Sequence, residues 1–319
     1  MARKTPDRQH LTTGRTRRAL KVGTLTTQVG GSYLLNALKR PFQSVDERQK
    51  DLLDTHLKNA MLIVERSQEL KGTFLKLMQM LSMRSDLLPP DVLQILSVVQ
   101  SEVPPMPYDM IREQLVAELG GAPETLYAHF EEEAFAAASL GQVHRATLHD
   151  GSVVAVKVQY AEIEHLARVD LGALRFFVRF ADRVARDIDL RSIVEELASY
   201  VALELDFARE ADSTERARVL LADDPTVRVP RVRRELSTPR LLVLEYLDGT
   251  RILDLETLRA SGFDLDDVGR RVGRLYGRMV FADGFFQGDP HPGNLLVLRD
   301  GAIGLLDFGL AKGLPDGFG

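Results

Sequence analysis

One short loop near the end of the chain constrains the fold more than any other feature. It runs from Gly288 to Asn294, and prolines at positions 290 and 292 stiffen it because each proline ring fixes the backbone angle φ. Asp289 and Asn294 lie five residues apart in this loop. A rigid loop of this kind can hold a carboxylate that orients a hydroxyl proton and an amide oxygen that binds a metal ion.

A predicted hairpin follows the loop and leads to a second acid. Its strands are Leu295–Leu298 and Ala302–Leu306, and the turn between them reads Arg299-Asp300-Gly301. The returning strand brings Asp307, the first residue of an Asp-Phe-Gly triplet, back beside Asn294. Two oxygen ligands on one side of a site suit Mg²⁺, which takes few protein oxygens and keeps phosphates and waters.

An apolar strand earlier in the chain carries a lysine. The strand spans Ser152–Gln159, contains Val-Ala-Val before Lys157, and forms a predicted hairpin with Ser139–Leu148. Burying an unpaired ammonium is unfavourable, so Lys157 needs a partner unless it lies at a sheet edge. Glu210, in the helical pattern that follows, is the predicted partner.

The order of the predicted elements favours an α+β fold. Helical periodicity covers 44–100, 161–222 and 264–283, and a short apolar strand covers 240–246. The predicted domains are 1–43, a basic arm and N-terminal helix; 44–107, a helical extension; 108–248, a small lobe around an antiparallel sheet; and 249–319, the start of a helical large lobe.

Composition and charge exclude several classes of protein and site. The net charge of −5 argues against a dedicated nucleic-acid binder, and the absence of cysteine excludes disulfides and thiolate metal sites. No transmembrane segment is predicted, because Val22–Leu38 is interrupted by polar residues and glycine. The first 21 residues carry seven basic residues and one acid, which indicates a solvated arm or an arm that contacts an anionic membrane.

Three further motifs complete the pattern. Residues 136–146 read AAASLGQVHRA, Glu204-Leu205-Asp206 precedes Glu210, and Lys76-Leu77-Met78-Gln79 lies in the helical extension. Together with the loop and the Asp-Phe-Gly triplet, these motifs resemble those of the UbiB/AarF family of atypical, protein-kinase-like kinases. The resemblance runs from about residue 65 to residue 312, and it departs from the family at Met78, where the K-x-G-Q motif has glycine.

This resemblance implies a protein-kinase-like fold and a role for each motif residue. Lys157, paired with Glu210, reaches the phosphates; Asn294 and Asp307 hold Mg²⁺; and Asp289 orients a hydroxyl or a water. Lys76 and Gln79 form a regulatory set with Glu204 and Asp206, and Lys76 is expected to face the two acids. The expected nucleotide contacts are Ala136, Ala137, Ala138, Ser139, Gly141, Gln142, Val143, Lys157, Glu245 and Leu247.

The function implied by the resemblance is binding of ATP or ADP, with Mg²⁺-dependent ATPase or small-molecule and lipid phosphotransfer activity that supports isoprenoid-quinone metabolism. The expected partners are nucleotide, a lipid or quinone precursor, the membrane surface through peripheral contact, and a second copy of the chain. Nucleic acid is not an expected partner, and the expected location is cytoplasmic. Because the chain stops ten residues after Gly309, we expect an incomplete large lobe, as in a truncated product or in a half-lobe that another chain completes.

Two alternatives remain open from the sequence. A non-catalytic, nucleotide-gated scaffold for a membrane lipid-synthesis complex would carry the same binding residues. A kinase of the choline or aminoglycoside type would share the Asp289 loop, but the alanine-rich string and Lys76 with Gln79 argue against that class.

Overall fold

The computed structural model describes residues 15–70, 90–97, 105–137, 140–181 and 190–315. The chain divides into two compact units that interleave in sequence. The first unit comprises residues 1–107, 137–142 and 160–202, and the second comprises residues 108–136, 143–159 and 203–319.

The secondary structure mixes helices and short strands, as the sequence predicts. The α-helices are α1 (Arg15–Lys39), α2 (Val45–Leu70), α3 (Pro90–Ser97), α4 (Tyr108–Leu119), α5 (Pro123–Leu126), α6 (Ile163–Ala181), α7 (Leu190–Glu204), α8 (Phe207–Leu220), α9 (Leu255–Ala260) and α10 (Leu265–Phe281). The strands are β1 (His129–Phe130), β2 (Ala136–Ala137), β3 (Gly141–Thr147), β4 (Val153–Gln159), β5 (Val227–Arg228), β6 (Leu241–Glu245), β7 (Gly249–Arg251), β8 (Phe285–Phe286), β9 (Leu295–Leu298), β10 (Ile303–Leu305) and β11 (Lys312–Gly313). Single 3-10 turns cover Arg40–Phe42, Arg234–Leu236 and Pro292–Asn294.

Helices build the first unit. Helix α1 packs against α2 and α6, and α2 packs against α3. A polar layer joins α1 to α2, in which the Tyr33 hydroxyl lies 2.7 Å from Nδ1 of His56 and the Asn59 amide donates to Ser32. Such buried hydrogen bonds fix the register of two helices. No helix among the described residues is long and apolar enough to cross a membrane.

The main sheet of the second unit carries the lysine strand. Its strands lie in the order β1-β3-β4-β6, and β2 also pairs with β3. Strands β4 and β6 are antiparallel, and Leu242 is the cross-strand partner of Lys157. The turn between β3 and β4 contains Gly151 at φ 84°, a left-handed angle that glycine adopts easily. Helix α8 packs on β6 through an apolar cluster that contains Phe207, Ala211, Val232, Leu242 and Leu244.

The second sheet is flanked by the predicted metal ligands, because Asn294 directly precedes β9 and Asp307 follows β10. Its strands lie in the order β5-β10-β9-β7, with β9 and β10 forming the predicted hairpin around Gly301 at φ 84°. Strand β5 pairs with β10 in parallel, a pairing that the sequence analysis did not include. Val297, Ile303, Leu305 and Phe308 share one buried core with residues of α10, including Leu275 and Met279. The α+β fold class is confirmed.

Candidate functional site

A buried ion pair lies at the centre of the site in the second unit. Nζ of Lys157 lies 2.8 Å from both carboxylate oxygens of Glu210 and 3.4 Å from Oδ2 of Asp307. The side chains of Lys157 and Glu210 are 17% and 4% exposed, whereas that of Asp307 is 40% exposed. Strand β4, helix α8 and the end of β10 therefore converge on one ammonium group, and the Lys157–Glu210 contact is the one expected from the sequence.

Burial and charge act in opposite directions on this cluster. Burial by itself lowers the pKa of Lys157, but the charges of Asp307 and Glu210, and then Glu204, raise it above its usual value. Burial raises the pKa of Glu210 to about 7; Lys157 opposes that rise, and Asp307 and Glu204 add to it. The ammonium therefore stays charged, and the Glu210 carboxyl retains its proton to a higher pH than an exposed glutamate does.

The raised pKa of Glu210 predicts a pH dependence of stability. A carboxyl that binds its proton more tightly in the folded state stabilises the protein fully below its unfolded pKa of 4.5, and that stabilisation is lost as the pH rises through about 7. Glu210→Gln removes the titration, so the excess stability of the wild type over this variant should shrink between these pH values. Urea denaturation of both proteins at a series of pH values measures this difference in the free energy of unfolding.

A surface carboxyl supplies the control for this titration. Glu195 pairs with Arg175 at 2.7 Å, and the arginine lowers the pKa of Glu195. Glu195→Gln should therefore change stability equally at every pH above 4.5, the usual pKa of the group. A Glu210→Gln profile parallel to this one would show that Glu210 does not titrate with a raised pKa.

Backbone pairing brings Asp307 beside Asn294. The amide of Leu306 donates to the carbonyl of Asn294 at 3.0 Å, so the loop before β9 and the residue after β10 are neighbours. Oδ1 of Asp307 accepts from the amide of Gly309 at 2.8 Å. A half-exposed carboxylate and a partly exposed amide side chain thus lie on adjacent backbone, and both supply the oxygen ligands that Mg²⁺ prefers.

The loop that carries Asp289 is closed by its own hydrogen bonds. The amide of His291 donates to the carbonyl of Asp289, and the amide of Asn294 donates to the carbonyl of His291, at 2.8 and 2.9 Å. Nδ1 of His291 accepts from the amide of Gly293 at 3.0 Å, which gives this histidine a structural role in the loop. The Asp289 side chain is partly buried.

Two functional neighbours of the loop were missed in the sequence. The Tyr276 hydroxyl donates to Oε1 of Gln287 at 2.5 Å, and Nε2 of Gln287 donates to the carbonyl of Asp307 at 2.6 Å. Burial, and then the charge of Asp289, raises the pKa of Tyr276 to about 12, so its proton is retained. Gln287 is 2% exposed, so its amide needs hydrogen-bond partners. In the sequence, the position of this polar residue two places before Asp289 was the available signal.

The acids of the Glu204-Leu205-Asp206 motif occupy different positions. Asp206 precedes α8 and its carboxylate accepts from the amide of Arg209 at 3.1 Å, as a helix N-cap does. Glu204 is the last residue of α7 and is partly buried. Their predicted partner Lys76, together with Gln79, lies outside the described residues.

The predicted nucleotide contacts fall in several places. Ala136 in β2 and Val143 in β3 are partly buried residues of the second unit, and Ala138 and Ser139 lie outside the described residues. Ala137, Gly141 and Gln142 belong to the first unit. There the Gln142 side chain is buried and accepts from the amide of Met106 at 2.7 Å, so it anchors the backbone between Pro105 and Pro107.

The strand end predicted to meet a nucleobase is formed by β6. Glu245 is exposed and pairs in register with Val154, and the amide of Tyr246 donates to the carbonyl of Val153 at 3.1 Å. Leu247 is partly buried and packs against the cluster of Leu296, Leu298 and Ala302. Glu245 and Leu247 thus bracket a short segment that leaves the main sheet towards the second one.

Chemically, the second unit combines a fixed cation with a half-exposed carboxylate and a separate acid on a rigid loop. The cation can bind an anionic group, the carboxylate and amide oxygens can bind a divalent cation, and the loop acid can accept a proton. This combination is typical of phosphoryl-transfer sites.

Comparison with known proteins agrees with this arrangement. The family model described as the ABC1 atypical kinase-like domain matches residues 98–318. AarF domain-containing protein kinase 1 of Xenopus tropicalis is 34% identical over 223 residues, which are 68% of this chain and 43% of that protein. Protein ACTIVITY OF BC1 COMPLEX KINASE 1, chloroplastic, of Arabidopsis thaliana is 36% identical over 212 residues, 65% of this chain and 31% of that protein.

A solved structure extends the likeness to the fold. The complex of Rv3197 with erythromycin from Mycobacterium tuberculosis has a TM-score of 0.61 and 29% identity, and the match covers 86% of this chain and 69% of that one. The protein-kinase-like fold is thereby confirmed, although the chain spans less than half the length of the two relatives named above. The family model covers more than two thirds of the chain, and the chain therefore belongs to the ABC1/AarF (UbiB) family of atypical kinase-like proteins.

Proposed function

We propose that this chain binds ATP or ADP with Mg²⁺ and catalyses ATP hydrolysis or phosphoryl transfer to a small-molecule or lipid hydroxyl. The observation that carries the proposal is the position of the Lys157 ammonium, 2.8 Å from Glu210 and 3.4 Å from Asp307. In kinase-like folds a lysine paired with a helix glutamate binds nucleotide phosphates, and an Asp-Phe-Gly aspartate binds the metal.

The residues of the site fit a magnesium ion. Asp307 offers a carboxylate that is 40% exposed, and the Leu306–Asn294 backbone bond keeps Asn294 beside it. Phosphate oxygens and waters would complete the octahedral coordination that Mg²⁺ requires. When bound, the ion would offset the negative charge of the phosphates.

Each remaining group would have a separate task. Lys157 would donate to phosphate oxygens, and Glu210 would hold the lysine in place from α8. Asp289 would orient the acceptor hydroxyl or a water and accept its proton as the new bond to the γ-phosphorus forms, while the bond from that phosphorus to the β,γ-bridging oxygen breaks and ADP leaves. Gln287 would keep the Asp307 backbone at a fixed distance from the Asp289 loop, because it donates to the Asp307 carbonyl.

The acceptor is proposed by resemblance to the family. We propose that it belongs to the hydroxyl-bearing lipids and precursors of isoprenoid-quinone metabolism; the names of the relatives describe kinases without naming a substrate. A nucleotide-gated scaffold without turnover is the competing proposal, because it requires the same binding residues and differs only in phosphate release.

The first test is a thermal melt of the full chain with and without Mg-ADP and Mg-ATP. Ligand at a hundred times its dissociation constant adds about 2.7 kcal/mol, which raises Tm by several degrees for a domain of this size. Lys157→Met should remove that shift, and Lys50→Met, at an exposed position of α2, should keep it. A cooperative wild-type melt without any shift at millimolar nucleotide would contradict the proposal.

A further inference from the structure

An arginine next to Glu210 donates hydrogen bonds to the segment that follows Asp307. Arg209 lies in the first turn of α8, and its Nη1 and Nη2 donate to the carbonyls of Gly309 and Ala311 at 2.7 and 3.1 Å. One guanidinium thus spans two carbonyls that are two residues apart in sequence. The same helical turn presents Glu210 to Lys157, so adjacent residues of α8 contact the lysine and the segment after Asp307.

The same segment is held from its other side by backbone contacts. The amide of Gly288 donates to the carbonyl of Leu310 at 3.1 Å, and Lys312 in β11 pairs with Phe286 in β8. The approach is so close that a Cβ atom on Gly288 would lie 2.1 Å from the Leu310 carbonyl oxygen. Residues 309–313 therefore lie between α8 and the strand that leads into the Asp289 loop.

This arrangement determines where the Asp307 carboxylate lies. The side chain is 40% exposed, so apolar packing does not fix its position. Polar contacts hold it instead: the carboxylate lies 3.4 Å from Nζ of Lys157 through Oδ2 and accepts from the Gly309 amide at 2.8 Å through Oδ1, while the Asp307 backbone carbonyl accepts from Gln287 at 2.6 Å. The carbonyl of the same glycine accepts from Arg209, so the arginine restrains the residue whose amide contacts Asp307.

We propose that Arg209 is a positioning residue that keeps Asp307 in place for metal binding by tying the Gly309–Ala311 backbone to the turn of α8 that carries Glu210. This inference rests on the proposed function and deepens it. A guanidinium can make two hydrogen bonds in a fixed fork, whereas an ammonium is a single point donor on a flexible stem. Lysine at this position would keep the charge and lose the two-carbonyl bridge.

The test compares Arg209→Lys with the full wild-type chain in three measurements. Hydrogen exchange follows the amides of residues 307–314, titration gives the Mg²⁺ affinity at saturating ADP, and a second titration gives the ADP affinity without metal. We expect exchange at Gly309 and Ala311 to become faster and Mg²⁺ affinity to fall about tenfold or more, the usual effect of removing an outer-shell partner of a metal site. Metal-free ADP affinity should stay within about twofold.

Arg218→Lys is the matched control. Arg218 lies on the same helix and pairs with Glu215 at 2.9 Å, so its replacement alters a surface charge pair instead of the segment after Asp307. All three measurements should stay at wild-type values. Arg209→Gln, which keeps one donor group without the charge, should behave like Arg209→Lys if the bridge and not the charge is what matters.

Each outcome decides the inference separately from the proposed function. Amide exchange rates equal to wild type at residues 307–314 in both Arg209 variants would show that Arg209 does not hold this segment. This outcome decides the point even in a chain that binds no nucleotide. Faster exchange with unchanged Mg²⁺ affinity would overturn the positioning role. Absence of Mg²⁺-dependent ADP binding in the wild type would defeat the proposed function and, with it, the positioning role, while the exchange result would still decide whether Arg209 holds the segment.

Discussion

Asp289→Asn is expected to lower phosphate release by about 10²- to 10⁴-fold while leaving the nucleotide-induced rise in Tm intact. The amide keeps the size of the carboxylate but cannot accept the proton. The backbone bond from His291 to the Asp289 carbonyl remains, so the loop should keep its shape. Phosphate release and thermal melts on the same samples measure the two effects.

Asp307→Asn should behave differently, because it alters the proposed metal ligand, which also faces Lys157 at 3.4 Å. We expect loss of both phosphate release and the Mg²⁺-dependent part of the Tm rise. Asp300→Asn, in the turn of the β9–β10 hairpin, is the control and should affect neither. Equal turnover in Asp289→Asn and wild type would remove Asp289 from the proton-transfer role. Nucleotide binding in the wild type with no phosphate release would favour the scaffold.

Gly288→Ala is expected to destabilise the chain by about 3 kcal/mol, the upper end of the range for overpacking. The added methyl group would lie 2.1 Å from a backbone carbonyl oxygen, and backbone cannot rotate away as the end of a side chain can. Relief of the clash requires that β8 and the Gly309–Ala311 segment separate. Urea denaturation gives the free energy of unfolding.

Gly277→Ala provides the matched control within the same unit. This glycine lies in α10, and a Cβ atom there would meet nothing within 4 Å. Alanine has the higher helix propensity, so the substitution should be neutral or stabilise by up to about 1 kcal/mol. Similar destabilisation by both substitutions would show that the close approach at Gly288 is not the cause.

The features that the sequence predicts correctly depend either on a local pattern or on a side chain that requires a partner. The β9–β10 hairpin follows from two apolar runs around Asp300-Gly301, and its geometry brings Asp307 to Asn294 without further information. The Lys157–Glu210 contact follows from the cost of an isolated buried charge. In the second case the type of side chain by itself defines which kind of partner its surroundings must supply.

The features that the sequence does not predict depend on backbone groups. Arg209 and Gln287 both donate to main-chain carbonyls, and every residue has such a carbonyl, so no partner residue type marks the contact. Strands of two residues such as β5, β8 and β11 are too short to show alternation. The parallel β5–β10 pairing joins residues 76 positions apart, as in the register of Ile303 with Val227, and tertiary packing alone selects it.

The Asp206 cap of α8 has a consequence for how the site could fail. The cap directly precedes the first turn of the helix, and that turn carries Arg209 and Glu210. Unwinding that single turn would release the helix start, the segment after Asp307 and the partner of Lys157 in one event. Each molecule would then have either a complete site or an inactive one. A weakened cap would lower the fraction of molecules with a complete site and would leave the activity of each complete site unchanged.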